Sequence, residues 1–271
     1  MLSIIIPTLN EEKYLEELLK SIEKQAFKDY EIIVADAGSR DRTLEIAKNH
    51  GCIIVRGGLP ARGRNEGAKE ALGDLLLFLD ADTKFPTKDF LKKAILEFRK
   101  RNLDVASCGL APLEKSKFVK QELLKMFFEV SNYLMITFER IAPFGVGSMI
   151  LIKKEFHLKM GGFDEHIRFG EDTVYIRKAA KLGKFGILKR VKIFWSIRRF
   201  EKEKWLKPVF LYILGWFLIG LDKKRLDIYK KGFFEYRFGH YQDLETKAKN
   251  NFVNDLPGLK IFKQFFKNKL R

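Results

Sequence analysis

The first 110 residues alternate short, almost wholly apolar runs with longer segments whose apolar residues recur at helical spacing. The runs are Leu2–Ile6 (ended by Pro7), Tyr30–Ala35, Cys52–Val55, Leu75–Leu79 and Val105–Leu110. Each is too short for a helix and apolar on both of its faces. Between them, Glu11–Gln25 sets Tyr14, Leu15, Leu18, Leu19 and Ile22 on one side. Lys88–Arg101 does the same with Phe90, Leu91, Ala94, Ile95 and Phe98. Gly63–Leu72 reads as a further helix, and Ser39 or Asp41 can cap another that carries Leu44 and Ala47. Strands apolar on both faces and alternating with helices predict an α/β fold with a mostly parallel sheet covered by helices. Ligands of such sheets bind at the carboxyl ends of the strands. Asp36, Asp80 and Asp82 all fall at such ends.

The later chain is less regular. Phe118–Arg140 is helical and rich in apolar residues, Met149–Ile152 and Lys192–Ile197 are strand-like, and Glu171–Leu182 is a helix stopped by Gly183. Charge divides the molecule more sharply. Residues 1–110 hold 18 Lys+Arg and 18 Asp+Glu, whereas residues 111–271 hold 34 and 17, so the whole excess of +17 lies there. Trp195, Trp205 and Trp216 lie there too. A neutral part followed by a basic, aromatic part implies two tasks, the second facing an anionic surface. Pro208–Leu221 is apolar and uncharged but only 14 residues long, short of the roughly 20 of a spanning helix. Near the end, Ile261, Phe262, Phe265 and Phe266 oppose Lys260, Lys263, Lys267 and Lys269, the composition of a helix lying in a membrane interface. The alternative is a helix packed on the protein's own core. Division into a domain over 1–200 and a largely helical membrane-interface region over 201–271 follows. Cys52 and Cys108 read as buried thiols, no zinc-type spacing exists, and the start lacks the features of a signal peptide. The expected location is the cytoplasmic face of the cell membrane, peripheral or monotopic.

The segment "LLLFLDADT" drives a buried strand into two acids one residue apart. Two such carboxylates, on a chain that turns, reach one divalent cation, and hard oxygen ligands suit Mg²⁺ or Mn²⁺. A cation held there bridges nucleotide phosphates and neutralises a departing diphosphate. His157, His166 and His240 show no ligand spacing.

Four segments occur in order: "SIIIPTLNEEKYLEELLKSI", "EIIVADAGSRDRT", "ARGRNEGAKEALGDLLLFLDADT" and "GGFDEHIRFGEDTVYIRKAAKLG". Together, over Leu2–Gly183, they resemble the family 2 glycosyltransferases, which have a GT-A fold. The resemblance implies that Pro7, Thr8, Asn10, Glu11 and Asp36 hold the nucleotide base and ribose; capping of helices is the other role open to Asn10 and Asp36. Family members often carry a second acid where this chain has Ala37. Arg62, Arg64 and Asn65 match an R-N-x-G neighbourhood, where a guanidinium pairs a phosphate or stacks on the base. Asp80, Ala81 and Asp82 match the metal motif at the donor diphosphate. Asp172, beside Glu171, matches the catalytic base that takes the acceptor's proton, and capping of the following helix is its bland alternative. "GGFDE", Gly161–Glu165, matches an acceptor-side turn, with Asp164 a lesser candidate. Arg198 and Arg199 suit a diphosphate or a lipid phosphate, or form part of a basic membrane-facing patch.

The expected function is therefore metal-dependent transfer of a sugar, from a UDP- or GDP-sugar to a lipid-linked or glycan acceptor at an anionic membrane surface, with inversion. A polyprenyl-phosphate acceptor is an alternative in which the nucleophile is already anionic. A nucleotidyltransferase is disfavoured because "PTLNEEKY" is acidic where such enzymes carry a glycine-rich basic loop. A nucleic-acid binder is disfavoured because it leaves the acids at the strand ends unexplained.

Overall fold

A computed structural model describes residues 1–167 and 170–202. The strands are β1 Leu2–Thr8, β2 Tyr30–Asp36, β3 Ile53–Arg56, β4 Leu75–Leu79, β5 Thr83–Lys84, β6 Val105–Pro112, β7 Met149–Lys153 and β8 Phe185–Trp195. The helices are α1 Glu12–Glu23, α2 Thr43–Asn49, α3 Pro60–Glu70, α4 Phe90–Lys100, α5 Gln121–Thr137, α6 Lys154–Met160, α7 Glu171–Leu182 and α8 Arg198–Lys202. One sheet runs in the order β3-β2-β1-β4-β7-β6-β8-β5. β3, β2, β1 and β4 are parallel, and β6 is parallel to β8. β7 is antiparallel to both β4 and β6, and β5 is antiparallel to β8. The sheet is thus mixed: β7 and β5 oppose a common direction shared by the others. The central reversal is what the sequence pattern does not convey, because a buried antiparallel strand is as continuously apolar as a parallel one.

Alternation sorts the side chains between two covered faces. Leu75, Leu77 and Leu79 join Leu15, Leu18 and Phe90 on one side, while Leu76 and Phe78 join Ala68, Ile150 and Tyr175 on the other. The apolar stripe of α1 is buried as its spacing requires. α3 starts at Pro60, ahead of the expected Gly63, because proline's fixed φ suits the first helical turn. Pro7 lies inside β1 rather than ending it. β4 pairs only with Leu2–Ile5, so the missing N–H of Pro7 leaves no ladder bond unmade on that side. Neither Ser39 nor Asp41 is the cap residue of α2, which is Arg42; instead Asp41 accepts from the N–H and hydroxyl of Thr43. α6 and β5 are additions to the elements expected. Both cysteines are free thiols, Cys108 buried and Cys52 half-buried.

The common direction puts the carboxyl ends of β1, β2, β4 and β8 on one edge. β7, reversed, begins on that edge, with Met149 opposite Leu79. Residues 203–271 lie outside the described residues, and with them Pro208–Leu221, the helix expected around Ile261–Phe266 and the region expected over 201–271 beyond Lys202.

Candidate active site

Four strand ends and two helix starts converge at this edge. At the end of β2, Asp36 is nearly buried and its carboxylate is occupied locally. It accepts from the N–H groups of Gly38 and Ser39 at 2.9 and 2.8 Å, and from the hydroxyls of Thr8 and Ser39. Asp36 therefore shapes its own loop, and any ligand contact it makes must share those lone pairs. Asn10 sits at φ 56°, accepts from the N–H of Arg40 and donates its own N–H to Ser39 Oγ. Thr8, Asn10 and Asp36 thus tie the first two strand ends together rather than capping helices. Pro7 borders α3: a Cβ on Gly63 would stand 3.0 Å from the Pro7 Cβ, and one on Gly67 would stand 2.4 Å from Ile5. The two glycines let α3 lie close against β1 and deliver Arg64 to the strand ends.

The two aspartates after β4 separate between two arginines. Arg64, fully buried, donates to Asp80 at 2.7 Å through one terminal nitrogen and to Glu171 at 2.7 Å through the other. Its guanidinium also lies 5.4 Å from the Phe163 ring centre. Arg198, at the start of α8, forks onto Glu11 at 2.7 and 2.8 Å and reaches Asp82 at 3.0 Å. It lies over the Tyr14 ring at 4.6 Å. Burial pushes the Asp82 carboxyl up to about 7, against the pull of Arg198, and Glu11 is raised for the same reason. The loop is pinned on its far side, where β5 pairs with the end of β8 and Ser196 N–H donates to the Asp82 carbonyl. Ala81 is buried between the two acids.

Glu171 and Asp172 open α7. Asp172 accepts from the N–H of Gly147, just ahead of β7, and from the N–H of Thr173, both at 2.6 Å. A Cβ on Gly147 would stand 2.9 Å from Arg64 and 3.0 Å from Asp172, so a glycine there lets the backbone approach the acid. Burial raises both carboxyls, Glu171 to about 7, with Arg64 pulling each back. The Asp172 carboxylate thus accepts within the first turn of α7, whose cap position is held by Gly170.

Other residues fall around this centre. Asn65 clamps the Gly161–Glu165 turn to α3 through the N–H and carbonyl of Phe163 and the carboxylate of Glu165. Arg62 is exposed on the same helix, on a different side from Arg64. Arg199 lies half-buried on α8. His157 is a core residue bonded to the Tyr175 hydroxyl at 2.6 Å, and burial lowers it to about 4. Sequence reasoning missed Tyr14, Glu114, Gly147 and Phe163. Glu114 accepts from Ser196 Oγ and Ile197 N–H and so places the turn that carries Arg198. Tyr14 gave only a helical-spacing signal, and Gly147 gave none.

Among the described residues no three His, Cys, Asp or Glu side chains gather as a cage for a metal. The model described as Glycosyl transferase family 2 matches residues 3–161. The chain belongs to that family. A Haemophilus influenzae protein named as an uncharacterized glycosyltransferase is 31% identical over 188 residues, 66% of this chain and 61% of that one. The poly(ribitol-phosphate) beta-N-acetylglucosaminyltransferase TarS of Staphylococcus aureus is 35% identical over 191 residues, 65% of this chain and 32% of that one. The chain thus spans less than two thirds of either relative. The crystal structure of TarS residues 1–349 with UDP-GlcNAc superposes with a TM-score of 0.56 at 25% identity, covering 72% of this chain and 58% of that one. A Pyrobaculum calidifontis mannosyltransferase with GDP-Man and Mn²⁺ gives a TM-score of 0.57 at 23% identity, covering 71% and 56%. These likenesses show a family 2 glycosyltransferase with a GT-A-like fold.

Proposed function

We propose that this family 2 glycosyltransferase moves a sugar from a nucleotide-sugar to an acceptor hydroxyl, with a divalent cation at Asp80 and Asp82 and Asp172 as base. The observation that carries this is that one acid of each pair, Asp80 after β4 and Glu171 of α7, meets the single guanidinium of Arg64. Donor-side and acceptor-side acids then act across one small volume, as displacement at an anomeric carbon requires. Bound UDP-GlcNAc in TarS and bound GDP-Man in the Pyrobaculum enzyme support a nucleoside diphosphate donor.

The donor set fits Mg²⁺ or Mn²⁺. Asp80 and Asp82 present carboxylate oxygens from a pinned turn, and such ions take one or two carboxylates plus substrate phosphates rather than an all-protein cage. Both carboxylates already face cationic groups, Arg64 and Arg198, so the turn is built to be neutralised. A cation bound there supplies charge stabilisation to the leaving diphosphate. The chain's own residues do the rest. Arg64 holds Asp80 and Glu171 in place from the buried side of α3. Arg198, with Arg199 beside it, lies where a diphosphate would meet the Asp82 side. The segment Pro7–Glu11 and Asp36 border the nucleotide, with Arg62 and Asn65 on the rim of α3. Asp172, oriented by Gly147 and Thr173, takes the acceptor proton, and attack on the face opposite the leaving group inverts the centre.

The division into a transferase domain over 1–200 and a membrane-interface region over 201–271 belongs to this proposal, as does an acceptor that is lipid-linked or a glycan. No helix among the described residues is long and apolar enough to cross a membrane. The test is incubation of the full chain with UDP- and GDP-sugars, with and without Mn²⁺ or Mg²⁺. Release of the nucleoside diphosphate from one donor, dependent on metal and lost in Asp82→Asn, is the expected result. Release of pyrophosphate from a nucleoside triphosphate and a sugar phosphate, with no turnover of any nucleotide-sugar, would overturn it.

A further inference from the structure

α5 is apolar on two sides. Its inner side lays Leu124, Phe128 and Met135 against the sheet, and Asn132 fixes it there by bonding both the N–H and the carbonyl of Leu110 on β6 at 2.8 Å. Its outer side carries Leu123, Met126, Val130, Tyr133 and Leu134 at three- and four-residue spacing, and Ile141 continues the stripe past the helix end. All six are exposed, Tyr133 by 68% and Ile141 by 82%. They present on the order of 600 Å² of apolar surface, the upper end of the largest patch a monomer commonly leaves open.

The rim of this stripe is basic. Lys117, Lys120, Lys125 and Arg140 are exposed and make no ion pair among the described residues. Of the neighbouring acids, Glu129 pairs with Lys192 at 2.6 Å, Glu139 with Arg101 at 3.1 Å and Glu114 with the Ser196 turn; Glu122 stays exposed beside Leu123, and the rim remains positive on balance. The chain also leaves the described residues here. Glu201 on α8 accepts from the Lys117 N–H at 3.0 Å, and Phe200 meets the Trp195 ring at 5.7 Å.

Three occupants are chemically distinct. The apolar segment Pro208–Leu221 is flanked by Lys202, Lys204 and Lys207 before it and Lys223, Lys224 and Arg225 after it. Seated on α5, it would bring positive flanks to a positive rim. A second copy of the chain would oppose the same rim to itself. An anionic lipid surface instead matches the apolar stripe, the rim and those flanking lysines at once.

We propose that the outer face of α5 lies in the headgroup region of an anionic bilayer, so that the transferase domain itself, and not only residues 201–271, contacts the membrane. This rests on the membrane-surface reading above. α5 packs on β6 and β8, and Phe128 meets Trp195 three residues before Arg198. A bilayer under α5 therefore borders the Arg198 side of the site, where a lipid-borne acceptor would arrive.

The full chain is tested by co-sedimentation with vesicles of phosphatidylcholine alone or with anionic phosphatidylglycerol. Met126→Glu/Val130→Glu should weaken binding to anionic vesicles by about tenfold or more, with the melting temperature and vesicle-free donor turnover kept. A Met126→Trp variant keeps the proposal testable should the glutamates unfold α5, and its emission should shift blue on anionic vesicles. Wild-type binding by the α5 double variant, with loss in Phe262→Glu/Phe265→Glu, overturns the α5 contact and leaves the membrane reading standing. No vesicle binding by the wild type overturns both. Conversion of a dimer to a monomer by the α5 substitutions, with vesicle binding unchanged, assigns the face to a second copy. New protease sensitivity at Pro208–Leu221, again with binding unchanged, assigns it to the chain's own segment. Either of these two results overturns the proposal.

Discussion

Only Ala81 separates Asp80 from Asp82, yet their arginines belong to different parts of the molecule and differ in how firmly they are held. Arg64 comes from the middle of α3, pressed against β1, and its side chain is 2% exposed. Arg198 comes from the five-residue α8 at the rim, and its side chain is 19% exposed. The first arginine joins Asp80 to Glu171 of α7, and the second joins Asp82 to Glu11 of the first strand end. A charge buried among three carboxylates cannot leave without exposing them, whereas a charge on a short peripheral helix can. Arg64 is therefore expected to hold the cluster together, and Arg198 to change its contacts when a ligand arrives.

The largest expected effect lies on the Arg64 side. Asp172→Asn should cut transfer to a hydroxyl acceptor by about 10³-fold, within the usual range for loss of a general base, with the fold intact by circular dichroism. A loss of tenfold or less would mean a nucleophile that is already anionic, such as a polyprenyl phosphate, and Asp172 would then orient the acceptor. Arg64→Gln should cost about 3–5 kcal/mol of stability in urea unfolding, as when one partner of a buried pair is removed. Arg198→Gln should cost about 1–2 kcal/mol, nearer the loss of charged hydrogen bonds at a rim. Its larger signature should be in ligand binding: Mn²⁺ alone binds a few-fold tighter, because Asp82 loses a competing cation, while the nucleoside diphosphate binds more weakly. Equal stability losses for the two arginines would break the comparison.

Much of this arrangement was legible in the sequence, because fully apolar strands and strand-end acids are local signals. The first four strands, α1, α4 and α7 follow from spacing alone, and Asp36, Asp80 and Asp82 from their place after apolar runs. What was not legible is pairwise. The partner of each aspartate depends on α3 approaching β1 through Gly63 and Gly67, and on β8 returning beside β5 to present Arg198. Those contacts span 16 residues for Arg64 and Asp80 but 187 for Arg198 and Glu11, and no local pattern encodes the second. The reversal of β7 was hidden for the same reason, and with it the placement of Gly147 against Asp172. Glu11 was foreseen as a nucleotide contact on the strength of family resemblance. The fold pairs it with Arg198 through both carboxylate oxygens, so a nucleotide contact at Glu11 would share that arginine.

The smallest effect concerns pH, and it separates the two arginine clusters from ordinary ion pairs. Burial raises Glu171 from 4.5 and Asp82 from 3.8 to about 7 each, in spite of the adjacent guanidinium groups. A carboxyl whose folded value is raised holds its proton more tightly in the native than in the unfolded chain. Its contribution to stability is therefore complete below the unfolded value and is lost as pH rises through about 7. The melting temperature should fall by a few degrees between pH 5 and pH 8, the scale expected for about 1 kcal/mol in a chain of this size, and Asp82→Asn should flatten part of that slope. Activity should move the opposite way, because the acids of α7 must ionise before one can accept a proton, giving an acidic limb near neutrality. Opposite slopes mean that the ionised, working form of the site is the less stable one. A melting temperature that rises from pH 5 to pH 8 would show both acids already ionised and paired, and would remove the distinction between a site held together by Arg64 and one merely neutralised by it.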